Sequence, residues 1–433
     1  MTTTRISSYE QALGYLLGIT RRGIRPGLSR IRRALAALGH PERSVPSVVV
    51  GGTNGKGSVA SLVARAAHEQ GLKVGLFTSP HIHRLTERIR VRDREVGRRR
   101  LVEALRAVQP VVERPGGPEL TFFEMMTVMA AEIFAEEGLD LAVLEVGLGG
   151  RLDATRTFPA RVVAITSIAL DHQSYLGDTL EAIAAEKFAL ARRGAIVVAG
   201  DLQPSLAAML EERARHTRSP LWRAGVHFSW KINDDATIDY KGPDGPVERL
   251  SMPLRGAHQA HNLAVAATVT AAMRRRGLDV STDALRSAAR RLRWPARMEV
   301  GRGGRVVFDV AHNPAGSEAL CAELPSLTAG RRPVVVVLGC MRDKDVEGIA
   351  KPLRAIADEI YLAAPNMPRA LEPKAFPRWI RGRAMASVDA ALSAALDHAG
   401  ETGVVVVTGS TFLVAEARAT LLGIENVDPP VPM

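Results

Sequence analysis

The segment Val48-Val49-Val50-Gly51-Gly52-Thr53-Asn54-Gly55-Lys56-Gly57-Ser58 runs straight into the helical pattern VASLVARAAHEQ, and it limits the fold more than any other stretch of the chain. A buried strand that feeds a glycine-rich turn and then a helix converges backbone N–H groups on whatever sits at the positive end of the helix, which favours phosphate. Thr53, Asn54, Gly55, Lys56, Gly57 and Ser58 are therefore expected to bind a nucleotide, with Lys56 against its β- and γ-phosphates and the Ser58 hydroxyl within reach of Mg2+. The spacing departs from the common G-x-x-x-x-G-K-[ST] loop, since Val50 stands at its first glycine and Gly57 separates the lysine from the serine. A tight turn alone would explain the glycines but not a lysine set between two of them.

The same strand-and-helix rhythm continues. SVVVGG, KVGLFTS, LAVLEVG, RVVAITSIA and AIVVAG alternate with longer helical patterns, which predicts a mainly parallel sheet covered by helices. Between Leu221 and Leu250, polar turns at Asn233-Asp234-Asp235 and Pro243-Asp244-Gly245 separate short alternating runs, predicting a β-hairpin appendage. Helical patterns return from His258 to about Arg293; RVVFDVA, VVVVLG, EIYLAA and VVVVTG, each followed by a predicted helix, then begin a second α/β series. Two domains are expected, residues 1–295 and 296–433, divided near Trp294 to Arg297 where Pro295 interrupts an arginine-rich helix. The Pro-rich end, Asp428 to Met433, is expected to be a loose tail.

Composition narrows the function classes. With 46% hydrophobic and 24% charged residues in 433, the chain has the balance of an ordinary globular protein, and its longest apolar runs fall far short of a bilayer span. The N-terminus has neither a compact apolar core nor a small-residue cleavage site, so a cytoplasmic location is expected, with no membrane partner. Cys321 and Cys340 have no metal-binding or disulfide spacing and are expected to be buried, reduced thiols. The net charge of +11 raises the question of nucleic acid, but the arginines are scattered through helical stretches and aromatics are only 4%, so solvated helix faces and no nucleic-acid partner are expected. Arginine supplies most of that charge. Only eight lysines are present, and three of them, Lys56, Lys187 and Lys344, fall inside the motifs that follow.

With GTNGKGS at 52–58, a series of further segments keeps the same order: TSPHIHRLTERIRV at 78–91, TFFE at 121–124, LEVGLGGRLDAT at 144–155, TSIALDHQSYLG at 166–177, EK at 186–187, HQAHN at 258–262, WPARME at 294–299, FDVAHNP at 308–314, DKD at 343–345 and TGSTFLVAEAR at 408–418. Together they resemble the folylpolyglutamate synthase and dihydrofolate synthase family, relatives of the Mur peptide ligases, over roughly residues 45–418. The spellings TSIALDH and FDVAHNP are closest to the bacterial bifunctional type. The resemblance implies a P-loop parallel-sheet ATPase domain followed by a smaller Rossmann-like α/β domain.

It also implies a ligase, monomeric, that uses ATP to convert a carboxylate of dihydropteroate or a folate into an acyl phosphate, which the amine of L-glutamate then attacks. By the same resemblance Ser79, Glu124 and His172 hold magnesium, and Lys187 takes up CO2 to become a carbamate at a second magnesium. A carbamate needs a neutral amine, which burial or neighbouring cations favour. Phe188-Ala189-Leu190 replaces the family's small-residue AGI after the E-K pair, which bears on local packing. Asn262, Arg297 and Asp309 match positions that contact adenine, γ-phosphate and ribose, with Arg297 reaching the phosphate when the domains close; His312 and Ser410 match strand ends where the incoming amino acid binds. RRGIRPGLSR at 21–30 resembles the pterin-side loop without pointing to a contact residue. Three alternatives stay open at this stage. One is a Mur-type ligase for a nucleotide-sugar peptide, against which the early phosphate loop argues; another is an ATPase driven by nucleic acid; the third is a non-enzymatic nucleotide-binding regulator, which would require the magnesium residues to be dispensable.

Overall fold

The computed structural model describes residues 6–431. Strands β1 (Ser47–Gly51), β2 (Val74–Phe77), β3 (Ile89–Val91), β4 (Arg94–Glu95), β5 (Leu141–Glu145), β6 (Ala160–Ile165), β7 (Ile196–Ala199) and β8 (Leu221–Arg223) form one sheet in the order β4-β3-β2-β5-β1-β6-β7-β8. Every neighbouring pair from β2 to β8 is parallel, and only β3 and β4 at the edge run antiparallel. All five residues of β1 are buried, as expected of a strand covered on both faces. Strand alternation then sorts its side chains: Val48 and Val50 pack under the helices Lys56–Glu69, Ala257–Arg274 and Thr282–Arg291, while Val49 joins the opposite core. That second core holds the helices Tyr9–Ile19, Ser29–Ala37, Arg98–Glu113 and Phe122–Glu136.

The expected hairpin at 221–250 is corrected in two ways. Leu221–Arg223 is β8, an edge strand of the large sheet parallel to β7, and the separate unit is a three-stranded antiparallel meander of β9 (Ser229–Ile232), β10 (Ile238–Gly242) and β11 (Gly245–Leu250). The meander packs on the sheet's core. Ile238, Tyr240 and Leu250 are buried in the same cluster as the long helix, and the Tyr240 hydroxyl pairs with Thr268 Oγ1 at 2.9 Å.

A six-stranded sheet follows, built from β12 (Glu299–Gly301), β13 (Val306–Phe308), β14 (Val334–Leu338), β15 (Glu359–Leu362), β16 (Arg383–Ala384) and β17 (Val404–Thr408) in the order β12-β13-β17-β14-β15-β16. Only β12 is antiparallel to its neighbour. The helices Pro314–Leu327, Val346–Ile356 and Thr411–Leu422 follow β13, β14 and β17 as expected, but β15 leads into two 3-10 turns and β16 before the helix Val388–Ala399. Pro365, Pro368, Pro373 and Pro377 in that stretch remove N–H donors a helix would need.

The expected loose tail is docked as far as it is described. The Asp428 side chain accepts from the Tyr9 hydroxyl and from Leu85 N, and Val431 is buried in the N-terminal core; residues 432–433 lie outside the described chain. Cys340 is buried as expected, Cys321 only partly, and both thiols are free. Among the described residues, no helix is long and apolar enough to cross a membrane.

Candidate active site

A cavity of about 650 Å³ opens where loops at the carboxyl ends of the strands of both sheets meet. Thr53, Asn54, Gly55, Lys56, Gly57, Ser58, Ser79, Glu124, His172, Lys187, Asn262, Arg297, Asp309, His312 and Ser410 all line it, so the structure brings together every site residue singled out from the sequence. Loops outside the carboxyl ends of parallel strands are where such sheets place ligands.

The phosphate loop needs its glycines for space as well as for conformation. Gly55 caps the helix Lys56–Glu69 at φ 83°, and a Cβ there would stand 2.2 Å from Asn262 Oδ1; at Gly52, φ 134°, it would stand 2.0 Å from Thr166 Oγ1. Thr53 N donates to Ser167 O at 2.7 Å and Asn54 N to Ser167 Oγ at 3.0 Å, which ties the loop to the end of β6. Lys56 Nζ donates to Thr53 O at 2.9 Å, folding its ammonium over the loop. Ser58 is buried at the helix start, and its Oγ has no hydrogen-bond partner among the described residues. A buried orphan hydroxyl at a helix N-terminus fits a ligand oxygen or a cation.

Asn54 is engaged by other residues of the protein. Its backbone N–H is taken by Ser167, and its side chain forms a reciprocal amide pair with Asn313, Asn54 Nδ2 to Asn313 Oδ1 at 3.2 Å and Asn313 Nδ2 to Asn54 Oδ1 at 2.9 Å. Its hydrogen bonds here hold the loop in place.

The two buried glutamates of the cavity differ. Glu124 sits in a capping box with Thr121, accepting from Thr121 N at 2.8 Å, and its carboxylate is also forked by Arg30 at 3.2 Å through both Nε and Nη2. Glu145, the last residue of β5, accepts Ser79 N at 3.0 Å and lies against the start of the phosphate-loop helix, where a Cβ on Gly57 would be 3.5 Å from its Oε1. Burial pushes its carboxyl up, opposed by Lys56, the Ser79 N–H, Arg297 and Arg88. The carboxylate beside Ser79 is thus Glu145, which the motif reading passed over; an acid ending an otherwise apolar, buried strand was its signal. His172, left-handed at φ 51°, has its imidazole pushed down to about 3 by burial, so it is neutral with a lone pair to offer.

Among the described residues, no three His, Cys, Asp or Glu side chains converge as a metal cage. The hydroxyls of Ser58 and Ser79, the Glu145 carboxylate and the His172 imidazole all line the cavity, and groups of these kinds, mostly oxygen, suit Mg2+ together with phosphate oxygens.

Lys187, at the end of the helix Leu180–Phe188, is 5% exposed and donates to Gly52 O at 2.9 Å, behind the phosphate loop. Burial, with Lys56 nearby, pushes its ammonium down to about 7. Glu186 turns to Arg151 at 2.8 Å, which leaves no surface ion pair for Lys187 to join. Phe188, Ala189 and Leu190 are all buried.

From the second sheet come Arg297, Asp309, His312 and Ser410. Among the described residues Arg297 makes one hydrogen bond, Nη1 to Ala296 O at 3.2 Å, and burial holds its guanidinium below the usual range against the pull of Asp309 and Glu145. Asp309 Oδ2 accepts Met298 N and Oδ1 accepts Ala311 N, both at 2.8 Å, so it fastens two backbone segments. Ser410 Oγ caps the helix Thr411–Leu422 through Leu413 N at 3.1 Å. His312 does not cap the next helix, a task that falls to Asn313; its Nδ1 lies 2.8 Å from Val310 O and its Nε2 3.4 Å from Asp171 Oδ2. Asp171 also receives Lys344 Nζ at 2.6 Å on Oδ1. Burial alone would raise this carboxyl, but His312, His172 and Lys344 hold it well below the usual carboxylate range. Asp171 and Lys344 stand in the motifs LDH and DKD, and their pairing across the two sheets was not visible in either.

Part of the cavity wall is apolar, made of Ile24, Phe122, Leu148, Leu152, Ile168, Tyr175 and Leu176. The loop at 21–30 lies there: Gly23 to Gly27 line the cavity, and Arg22 and Arg25 anchor it to Leu120 O and Glu119. The cavity can therefore hold a polyanion at the glycine loop and a flat apolar group several residues away, with a cluster of cations between two lobes.

Comparison with known proteins gives the same picture. The model of the Mur ligase middle domain matches residues 50–270, and that of the Mur ligase glutamate ligase domain matches residues 296–411. The chain is 34% identical over 427 residues to a folylpolyglutamate synthase of Lacticaseibacillus casei, covering 96% of this chain and 99% of the relative. It is also 34% identical over 411 residues to a dihydrofolate synthase/folylpolyglutamate synthase of Escherichia coli, covering 94% of each. Among solved structures, E. coli FolC in complex with DHPP and ADP aligns with a TM-score of 0.90 at 32% identity, covering 98% of this chain and 99% of that one. A bifunctional folylpolyglutamate synthase/dihydrofolate synthase with Mn, AMPPNP and L-glutamate bound aligns with a TM-score of 0.86 at 29% identity, covering 98% of this chain and 100% of that one.

Proposed function

The chain belongs to the Mur ligase family, among its folylpolyglutamate and dihydrofolate synthases, and we propose on that premise that it joins L-glutamate to dihydropteroate and to folates at the expense of ATP. The observation that carries this reading is the single cavity in which the glycine loop, Lys56, Glu145, Lys187 and Arg297 meet an apolar wall. On this reading the described chain up to residue 295 is the ATP-binding lobe and from 296 the glutamate-ligase lobe, acting as a monomer.

A carboxylate does not acylate an amine at neutral pH, so one of its oxygens first takes the γ-phosphoryl group of ATP. Bringing two anions together is the obstacle, and cationic side chains answer it. Backbone N–H groups of the glycine loop hold the β-phosphate, Lys56 swings from Thr53 O to the β- and γ-phosphates, and Arg297 approaches the γ-phosphate from the second lobe. Asn262, beside Gly55, borders the adenine, and Asp309 the ribose. A bound Mg2+ would neutralise the phosphate oxygens and draw charge from the transferring phosphorus. Ser58, Ser79, Glu145 and His172 would hold it, with Glu145 in the place first expected of Glu124.

Lys187, whose amine is substantially neutral near pH 7, condenses with CO2 to a carbamate and releases one proton; its oxygens would serve a second cation. The pterin ring lies along the apolar wall beside residues 21–30, and L-glutamate enters between His312, Lys344 and Ser410. Its amine attacks the acyl carbon, and phosphate leaves the tetrahedral intermediate.

The test is ADP release with dihydropteroate or tetrahydrofolate, with and without L-glutamate. Turnover should require both organic substrates and vanish in Lys56→Ala. Turnover indifferent to both, or driven instead by DNA or RNA, would overturn the reading.

A further inference from the structure

Asn313 lies outside the cavity wall, is 2% exposed, and yet uses its whole side-chain amide across the two lobes. Its Oδ1 accepts from Gly316 N at 2.9 Å, capping the helix Pro314–Leu327, and from Asn54 Nδ2 at 3.2 Å. Its Nδ2 donates to Asn54 Oδ1 at 2.9 Å and to Asp171 Oδ2 at 3.2 Å. A primary amide has two donor hydrogens and two acceptor lone pairs, and all four are occupied here. Two of its three partners belong to the ATP-binding lobe: Asn54 is the middle of the glycine loop, and Asp171 immediately precedes His172.

A helix cap alone would not require asparagine, because serine, threonine or aspartate caps as well. Only an amide also donates twice in the opposite direction. We propose that Asn313 is a positioning residue through which the second lobe sets the glycine loop and the Asp171–His172 turn in their reactive arrangement. It touches neither nucleotide nor acceptor; it fixes the loop that holds the triphosphate relative to the lobe that delivers Arg297 and the amino acid. Lys344, on the loop after β14, reaches the same Asp171 from the second sheet, so the turn is gripped from two strand ends at once. Both backbone ends of the Asn54 peptide are already fixed by Thr166 and Ser167, with Asn54 O accepting from Thr166 Oγ1 at 2.6 Å, so a pull on its side chain moves the loop as a unit.

This inference rests on the ligase reading, and the experiment separates the two. Asn313→Ser keeps a strong helix cap while removing the links to Asn54 and Asp171. Asn313→Asp keeps the shape and the cap but sets a second carboxylate against Asp171. For each variant, kcat of the glutamate-dependent reaction and affinity for the ATP analogue AMPPNP are measured, together with the thermal midpoint. If the wild type shows no glutamate-dependent turnover, the ligase reading fails. If it does, Asn313→Ser should lose about tenfold or more in kcat, the scale of a reacting group misplaced by a fraction of an ångström, while AMPPNP affinity changes less than about threefold. Asn313→Asp should lose more. Asn54→Ala should reproduce the Asn313→Ser loss, and the double variant should be no worse than the poorer single one, as for two ends of one contact. Wild-type kcat in Asn313→Ser, or losses that multiply in the double variant, would overturn the proposal, as would a fall in thermal midpoint with unchanged kcat.

Discussion

The two strand-end edges that face each other across the cavity are made differently. On the side of the eight-stranded sheet Asn54, Glu124 and Asp171 are well partnered, but three buried polar side chains are under-used: Ser58 Oγ has no partner among the described residues, Lys187 is held near neutrality, and the one hydrogen bond of the Glu145 carboxylate among those residues is from Ser79 N. On the six-stranded sheet, Asp309, Ser410 and Asn313 accept backbone N–H groups from their own lobe, and His312 faces Val310 O. Unsatisfied buried polar groups cost stability and persist where a ligand completes them. Three unspent buried groups thus mark the first edge, whereas the second spends these side chains on its own backbone. Arg297 is the exception, a guanidinium of the second lobe with one hydrogen bond, between Asp309 and Glu145.

The contrast can be broken by substitution. Lys56→Ala should reduce kcat roughly a thousandfold, the scale of losing a preorganised charge at the transition state, with the fold intact by circular dichroism. A residual rate within tenfold of wild type would remove Lys56 from the reaction. Next comes the carboxylate pair: Glu145→Gln should cost about a hundredfold in kcat with a raised Mg2+ requirement, whereas Glu124→Gln, which loosens only the Thr121 and Arg30 contacts, should cost less than about tenfold. The reverse order would restore Glu124 as the magnesium carboxylate.

On the opposite edge, Asp309→Asn should act on stability before rate, losing about 1–3 kcal/mol in denaturant unfolding because one of two buried N–H groups is left without its acceptor. A larger loss of rate than in Glu145→Gln would erase the distinction between the edges.

A further effect is a pH dependence. Lys187 is lowered from 10.5 to about 7 in the folded chain, so the unfolded chain binds the extra proton between those values and stability rises with pH across that window. Burial of this group therefore costs the fold most at and below pH 7. In CO2-free buffer, Lys187→Met should melt higher than wild type at pH 7, with the difference shrinking as pH approaches 10.5. A difference that grows with pH would contradict the neutral amine.

How much of this was legible depended on the range of the interactions. The glycine loop, the alternating parallel strands and most of the site could be read because buried lysines and clustered glycines have few other uses. The structural use of Glu124 was legible in its own motif: Thr121 three residues before it is the spelling of a capping box, which engages the carboxylate at the helix start. β8, at three residues, is too short to separate from a hairpin by pattern. The tail was misread because what fixes it, Tyr9 to Asp428, spans 419 positions and leaves no local trace. The Asp171–Lys344 and Asn54–Asn313 contacts were invisible for the same reason, since each joins two lobes through residues that look like ordinary loop polarity.

The direct test of phosphoryl transfer onto the acceptor uses dihydropteroate labelled with oxygen-18 in its carboxylate, incubated with ATP, Mg2+ and L-glutamate. One labelled oxygen should appear in the inorganic phosphate for each amide bond formed. Phosphate free of label, with amide still produced, would mean that the acid is not activated as an acyl phosphate and that the facing edges serve some other reaction.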